Sequence, residues 1–153
     1  MSNHEMRFAD ILLVEDNDGD VFLTKKAFQK AKVGNEIFVA KDGEVAMEML
    51  YKRGEFHNFP RPDLILLDIN LPKKDGCQVL KEIKADDDLR RIPVVVLTGS
   101  QAEEDVVRSY NFHANAYLVK PVDVHKFQEV IQSLEDFWFN VVVLPDRAGE
   151  GAA

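Results

Sequence analysis

The stretch Leu64-Ile65-Leu66-Leu67-Asp68-Ile69-Asn70-Leu71-Pro72 decides the fold. Its apolar residues run without a break into one carboxylate, between Pro62 and a Pro72-Lys73-Lys74-Asp75-Gly76 turn. An uninterrupted apolar run bounded by turn residues reads as a strand buried on both faces, as in parallel sheets. Asp68 then stands at the strand's carboxyl end, where open α/β sheets bind their ligands. The stretch alone leaves two readings of Asp68 open. It caps the following turn, or it acts as a carboxylate that is already ionised at neutral pH and attacks phosphorus without a general base.

The flanking sequence repeats the pattern. Ile11-Leu12-Leu13-Val14 runs into Glu15-Asp16, Pro93-Val94-Val95-Val96-Leu97 into Thr98-Gly99-Ser100, and Ala114 to Val119 into Lys120-Pro121. Glu36 to Ala40 makes a fifth strand. Helical signals separate them. One helix begins at Asn17 or Asp18, both plausible caps, carries Leu23, Ala27, Phe28 and Ala31, and stops at Gly34. A second carries Val45, Ala46, Met49 and Leu50 and ends near Gly54, with a loop from Glu55 to Pro62 after it. A third opens at Gly76 with Val79, Leu80 and Ile83, and Asp86-Asp87-Asp88 follows as an acidic loop. A polar fourth helix has Val106 and Val107 on one side. The last carries Phe127, Val130, Ile131, Leu134 and Phe137 on one stripe.

Strand and helix alternating in this way imply right-handed βαβ units, an α/β fold and a doubly wound parallel sheet covered on both faces. The carboxyl ends of its strands share one edge, so Glu15, Asp16, Asp68, Thr98 and Lys120 converge there. Clustered carboxylates repel one another unless a cation fills the site. Hard oxygen ligands suit Mg²⁺, which uses one or two carboxylates and keeps several waters. The Thr98 hydroxyl can donate to a phosphoryl oxygen and the Lys120 ammonium can hold another. Gly99 leaves open space beside Thr98. Phosphoryl transfer needs mainly positioning and charge neutralisation, and these parts supply both.

Composition narrows the alternatives. A chain of 153 residues is one domain by length and buries roughly 70% of its unfolded surface. A formal charge of −8 argues against nucleic acid or an anionic membrane as a general partner. The one cysteine, Cys77, excludes an intrachain disulfide and a multi-cysteine metal site. Met1 to Asp10 is charged, without the apolar core of a signal peptide. No apolar run approaches the roughly 18 residues of a membrane span, so a soluble cytoplasmic protein is expected.

Taken together, these residues resemble the receiver domain of two-component response regulators, from about Ile11 to Leu134. The resemblance rests on Glu15-Asp16, on Asp68 with Pro72 and Gly76 downstream, on Thr98-Gly99, and on Tyr117-Leu118-Val119-Lys120-Pro121. It implies a flavodoxin-like five-stranded parallel sheet of order 2-1-3-4-5. By the same resemblance Asp68 takes a phosphoryl group from a histidine kinase. Asp16, Asp68 and the backbone carbonyl of Asn70 bind Mg²⁺, with Glu15 assisting through water where many receivers carry Asp. Thr98 and Tyr117 form an aromatic switch, Lys120 contacts the phosphate, and the Lys120-Pro121 bond is cis. The segments Gly54-Glu55-Phe56 to Arg61-Pro62-Asp63, Asn70 to Gly76, Ile92 to Thr98 and Ser133 to Phe139 resemble the single-domain regulators that pair with phytochrome-type kinases.

Competing readings are weaker. Asp16-Asn17-Asp18-Gly19-Asp20 looks like a calcium loop, but Val21 and Ala27 stand where an EF-hand needs Gly and Glu. Asp18 and Asp20 then read as helix cap and solvated charge. A Mg²⁺-dependent phosphatase on the same sheet is the main alternative, although Asn70 replaces the second acid of an Asp-x-Asp nucleophile motif. A nucleotide or flavin site would need a Gly-rich loop after the first strand, which is missing. His4, His57, His113 and His125 lack metal-like spacing, Cys77 reads as a packing residue, and Lys73 and Lys74 as solvated.

The expected organisation is a receiver over residues 8–136 and an arm over residues 137–153, too short for a helix-turn-helix output module. Phe137-Trp138-Phe139 and Val141-Val142-Val143-Leu144 continue the apolar stripe after the sheet is already covered. Such a segment marks an interface, and aromatic residues anchor interfaces. The segment either folds back on its own domain or forms a homodimer built on Phe137, Trp138, Phe139 and Val142; the dimer is the expected reading, as the resemblance also implies.

Overall fold

The computed structural model describes residues 9–31 and 34–134. The strands are β1 (Ala9–Val14), β2 (Asn35–Ala40), β3 (Leu64–Asp68), β4 (Val94–Thr98) and β5 (Ala116–Val119). The helices are α1 (Asp18–Ala31), α2 (Gly43–Leu50), α3 (Gly76–Ala85), α4 (Gln101–Ser109) and α5 (Val124–Ser133). All strand pairs are parallel and the order is β2-β1-β3-β4-β5. The expected 2-1-3-4-5 sheet is therefore present.

Alternation along the strands builds two cores, because successive side chains leave opposite faces. Leu12, Val14, Ile65, Leu67, Val94 and Val96 face Ala46, Leu80, Ile83 and Val107 of α2, α3 and α4. Ile11, Leu13, Leu64, Leu66, Val95 and Leu97 face Phe28 of α1 and Phe127 and Ile131 of α5. Phe28 and Phe127 meet edge to face, their ring centroids 4.6 Å apart. Each fully buried side chain of this size contributes about 1.5–3 kcal/mol.

The same parity places the functional edge. Glu15, Asp68 and Lys120 continue the alternation of the α1/α5 face, whereas Thr98 and Tyr117 belong to the α3/α4 face. Register confirms the second pair: Val96 pairs with Tyr117 and Thr98 with Val119, so Tyr117 lies one diagonal step from Thr98.

Helix starts are fixed by side-chain acceptors, each worth about 1 kcal/mol. Asp42 accepts from the Val45 N–H at 2.9 Å, and Asp75 and Gln78 form a reciprocal capping box on α3. Gly76 starts α3 hard against the end of β3. A Cβ there would lie 2.5 Å from both the Asp68 carbonyl oxygen and the Ile69 Cα. The Lys120-Pro121 bond is cis, as the resemblance implied.

Two helix faces differ from expectation. In α1 Thr24, not Leu23, turns inward, and Leu23 is 45% exposed. In α4 Val107 is buried while Val106 is 53% exposed. Adjacent helical residues point about 100° apart, so only one of Val106 and Val107 can face the sheet. The expected interface residues Phe137, Trp138, Phe139 and Val142 lie outside the described residues. Among those described, no helix is long and apolar enough to cross a membrane.

Candidate functional site

Three strand ends, those of β1, β3 and β5, and the first turn of α1 meet around one ammonium. Lys120 Nζ donates to Asp68 Oδ2 at 2.9 Å, to Glu15 Oε1 at 3.1 Å and to Asp20 Oδ2 at 2.9 Å. An ammonium has three donors, and here each meets a carboxylate from a different element. Asp68 and Glu15 are almost wholly buried, and the Lys120 side chain is only 17% exposed. Asp68 Oδ1 accepts the Asn70 N–H at 2.9 Å, and Glu15 Oε2 accepts the Asn17 N–H at 3.2 Å.

The electrostatics follow from this crowding. Burial, then hydrogen bonding to Asp68 and repulsion from its charge, push the Glu15 carboxyl up to about 7. Burial works against the Lys120 ammonium, but hydrogen bonds to Asp20, Asp68 and Glu15 outweigh it and raise its pKa. Asp16, exposed at the rim, completes the acid group: one oxygen each from Glu15, Asp16 and Asp68 lie within 4.8 Å of one another. Close-set carboxylate oxygens facing a single lysine are the donor set a hard divalent cation takes. The residues present therefore fit such an ion.

Thr98 is fully buried, and its hydroxyl donates to the Ser100 carbonyl at 3.2 Å rather than into the acid cluster. Tyr117 is half-buried beneath Arg108, whose guanidinium lies 4.3 Å from the ring centroid. Glu104 holds that guanidinium at 2.9 Å. Burial raises the Tyr117 phenol pKa, so the ring is neutral. Asn70 lies beside Asp68, and its side-chain amide donates to both Glu103 oxygens, at 3.1 and 2.9 Å.

All the residues expected at the strand ends are thus brought to one edge. Asp20 corrects the sequence reading: it is a ligand of the Lys120 ammonium, not a solvated charge. Asn17 is the residue that caps α1, accepting the Asp20 N–H at 2.8 Å, and Asp18 pairs with Lys41. Glu103 was not anticipated at all. Burial, with Asp75 and Glu103 nearby, raises the Cys77 thiol pKa, which keeps the thiol protonated and agrees with a packing role.

Known proteins resemble this chain in sequence and fold. Residues 11–132 match the response regulator receiver domain family. Response regulator Rcp1 of Synechocystis sp. is 48% identical over 135 residues, covering 88% of this chain and 92% of that protein. The solved bacteriophytochrome response regulator AtBRR aligns with a TM-score of 0.81 at 46% identity, over 93% of this chain and 99% of its own. The Mn(2+)-bound form of Rcp1 aligns at 0.69 and 47% identity, over 90% and 99%. With sheet order, strand-end chemistry and relatives in agreement, the chain belongs to the response regulator receiver domain family of two-component signalling.

Proposed function

We propose that this chain takes a phosphoryl group on Asp68 from a histidine kinase of the phytochrome type and passes the signal on by changing its protein contacts. The observation that carries the reading is the buried Asp68 carboxylate, held at 2.9 Å by the Lys120 ammonium and beside Glu15 and Asp16. An Asp68 oxygen forms the new bond to phosphorus. The bond from phosphorus to the donor's imidazole nitrogen breaks, and that nitrogen keeps the electron pair. Lys120 neutralises the charge gathering on the transferred group. Thr98 turns from Ser100 to donate to it, and Tyr117 moves into the space Thr98 leaves.

Asp16, Asp68 and the Asn70 carbonyl would hold the cation, with Glu15 behind them; we assign it as Mg²⁺, and the manganese-bound relative supports an ion of this charge and hardness. When bound, it offsets the carboxylate charge so that an anionic donor can approach. Receiver domains are generally phosphoacceptors, and we assign this chain phosphotransfer and autodephosphorylation chemistry only. The phosphatase reading has no support, since Asn70 stands where its second acid is required.

The phytochrome link rests on the bacteriophytochrome regulator among the relatives. We further assign the chain to the cytoplasm, residues 8–136 to the receiver, and residues 137–153 to a dimerising arm. Phosphotransfer from a panel of histidine kinases tests the central claim. Wild type should gain acid-labile phosphate, fastest from phytochrome-type donors, and Asp68→Asn should gain none. Normal labelling of Asp68→Asn would remove Asp68 from its role.

A further inference from the structure

Glu103 has no part in the chemistry above, yet it is wired into both loops that carry it. Its Oε1 accepts the Gly99 N–H at 2.7 Å, next to Thr98. Both its oxygens accept the Asn70 amide, two residues past Asp68. It lines one cavity of about 530 Å³ together with Asp16 and Asn70. Helix capping does not explain these contacts. Ser100-x-x-Glu103 has the spacing of a capping box, in which the Glu carboxylate returns to the N–H of the cap residue itself. Ser100 does accept the Glu103 N–H, at 3.1 Å. The Glu103 carboxylate instead reaches one residue further back, to Gly99, and across to the β3–α3 loop. The Glu103 carboxylate borders the space that Gly99 leaves beside Thr98: a Cβ at Gly99 would lie in ordinary contact with Glu103 Oε1, at 3.6 Å.

A phosphoryl group brings about two negative charges and three acceptor oxygens. Donors on this edge include Lys120, the Thr98 hydroxyl, the Gly99 N–H and the Asn70 side-chain amide, and Glu103 holds the last two. We propose that Glu103 is an anionic place-holder, a positioning residue that occupies the loop donors of the unphosphorylated site and must be displaced when Asp68 is phosphorylated. This inference rests on the phosphoacceptor reading. Two anions compete for one set of donors, so the free energy of holding Glu103 is subtracted from that of holding the phosphoryl group. Displacement also frees the β4–α4 loop, including the Ser100 carbonyl to which Thr98 is tied. The place-holder thus sets the threshold at which the site commits to its charged state.

The test uses the full chain, Mg²⁺ and beryllofluoride as the phosphoryl mimic. Glu103→Ala should bind beryllofluoride about 3- to 10-fold more tightly than wild type, the range expected for the net contribution of one ordinary hydrogen bond. Glu103→Gln, which keeps one acceptor, should fall between. Asp105→Asn, which removes a neighbouring charge on the same helix, should stay within about twofold. In wild type, the Gly99 amide proton resonance should move on beryllofluoride binding toward its position in Glu103→Ala. Equal or weaker affinity in folded Glu103→Ala and Glu103→Gln overturns the place-holder while leaving Asp68 as acceptor. So does a Gly99 resonance that stays put while beryllofluoride binds. A wild type that binds no beryllofluoride removes both the place-holder and the reading beneath it.

Discussion

Glu15 is the residue most sensitive to solution conditions. Its carboxyl titrates near 7 in the folded chain against about 4.5 when unfolded, so the folded state binds the extra proton between those values. A folded pKa raised in this way contributes stability below the unfolded value and loses it as pH rises through the folded one. Metal-free protein should therefore lose thermal stability from about pH 5 to pH 8 more steeply than Glu15→Gln, as melting curves at stepped pH would register. Magnesium should raise the melting point more at pH 8 than at pH 6, because the ion needs the ionised carboxylate. Asp68, Thr98 and Lys120 were legible in the sequence because each ends an apolar run, and strand ends of a parallel sheet must meet. Asp20 was not, since its partner Lys120 is 100 residues away and an acid in a helix's first turn already has a local explanation. Glu103 was hidden in the same way behind the serine three residues before it.

Element by element, the site is held in place by close backbone packing. Gly76 lets α3 begin in contact with the Asp68 carbonyl and Ile69, which sets the path of the loop carrying Asn70. Gly76→Ala should cost about 1–3 kcal/mol in chemical denaturation and slow phosphorylation of the fraction that folds. On α4, Arg108 lies over Tyr117 and is held in turn by Glu104. A partly exposed contact of this kind contributes about 0.5–1 kcal/mol, enough to bias a ring between two positions. Arg108→Ala should raise the inward population of Tyr117 before any phosphoryl group arrives, visible as a shift of its ring resonances toward the beryllofluoride-bound values. Element type and order were readable from alternation alone. Which face each helix buries was less so: rows through Leu23 and Ala27 or through Thr24 and Phe28 both satisfy helical spacing, and only the sheet beneath chooses Thr24.

At the scale of the whole molecule, the sheet is already covered by α1 and α5 on one face and by α2, α3 and α4 on the other. The apolar run from Phe137 to Leu144 thus follows a core that is complete without it, which is the argument for self-association. Truncation after Asp136 should yield a monomer at micromolar concentration, while full-length protein sediments as a dimer. The truncated form should still accept phosphate on Asp68. A full-length monomer, with or without beryllofluoride, would leave the arm without that role.

Lys120 also shapes the site when no divalent cation is bound. An acid cluster balanced only by a diffusible ion would become intolerable each time the ion left, and the fold would follow it. Here the balancing charge is part of the chain, bonded to carboxylates from three elements. Removal of the divalent cation by a chelator is therefore expected to stop the proposed phosphorylation while leaving the fold intact. On that reading, recovery would wait on the diffusion of one cation, not on the synthesis of a new chain.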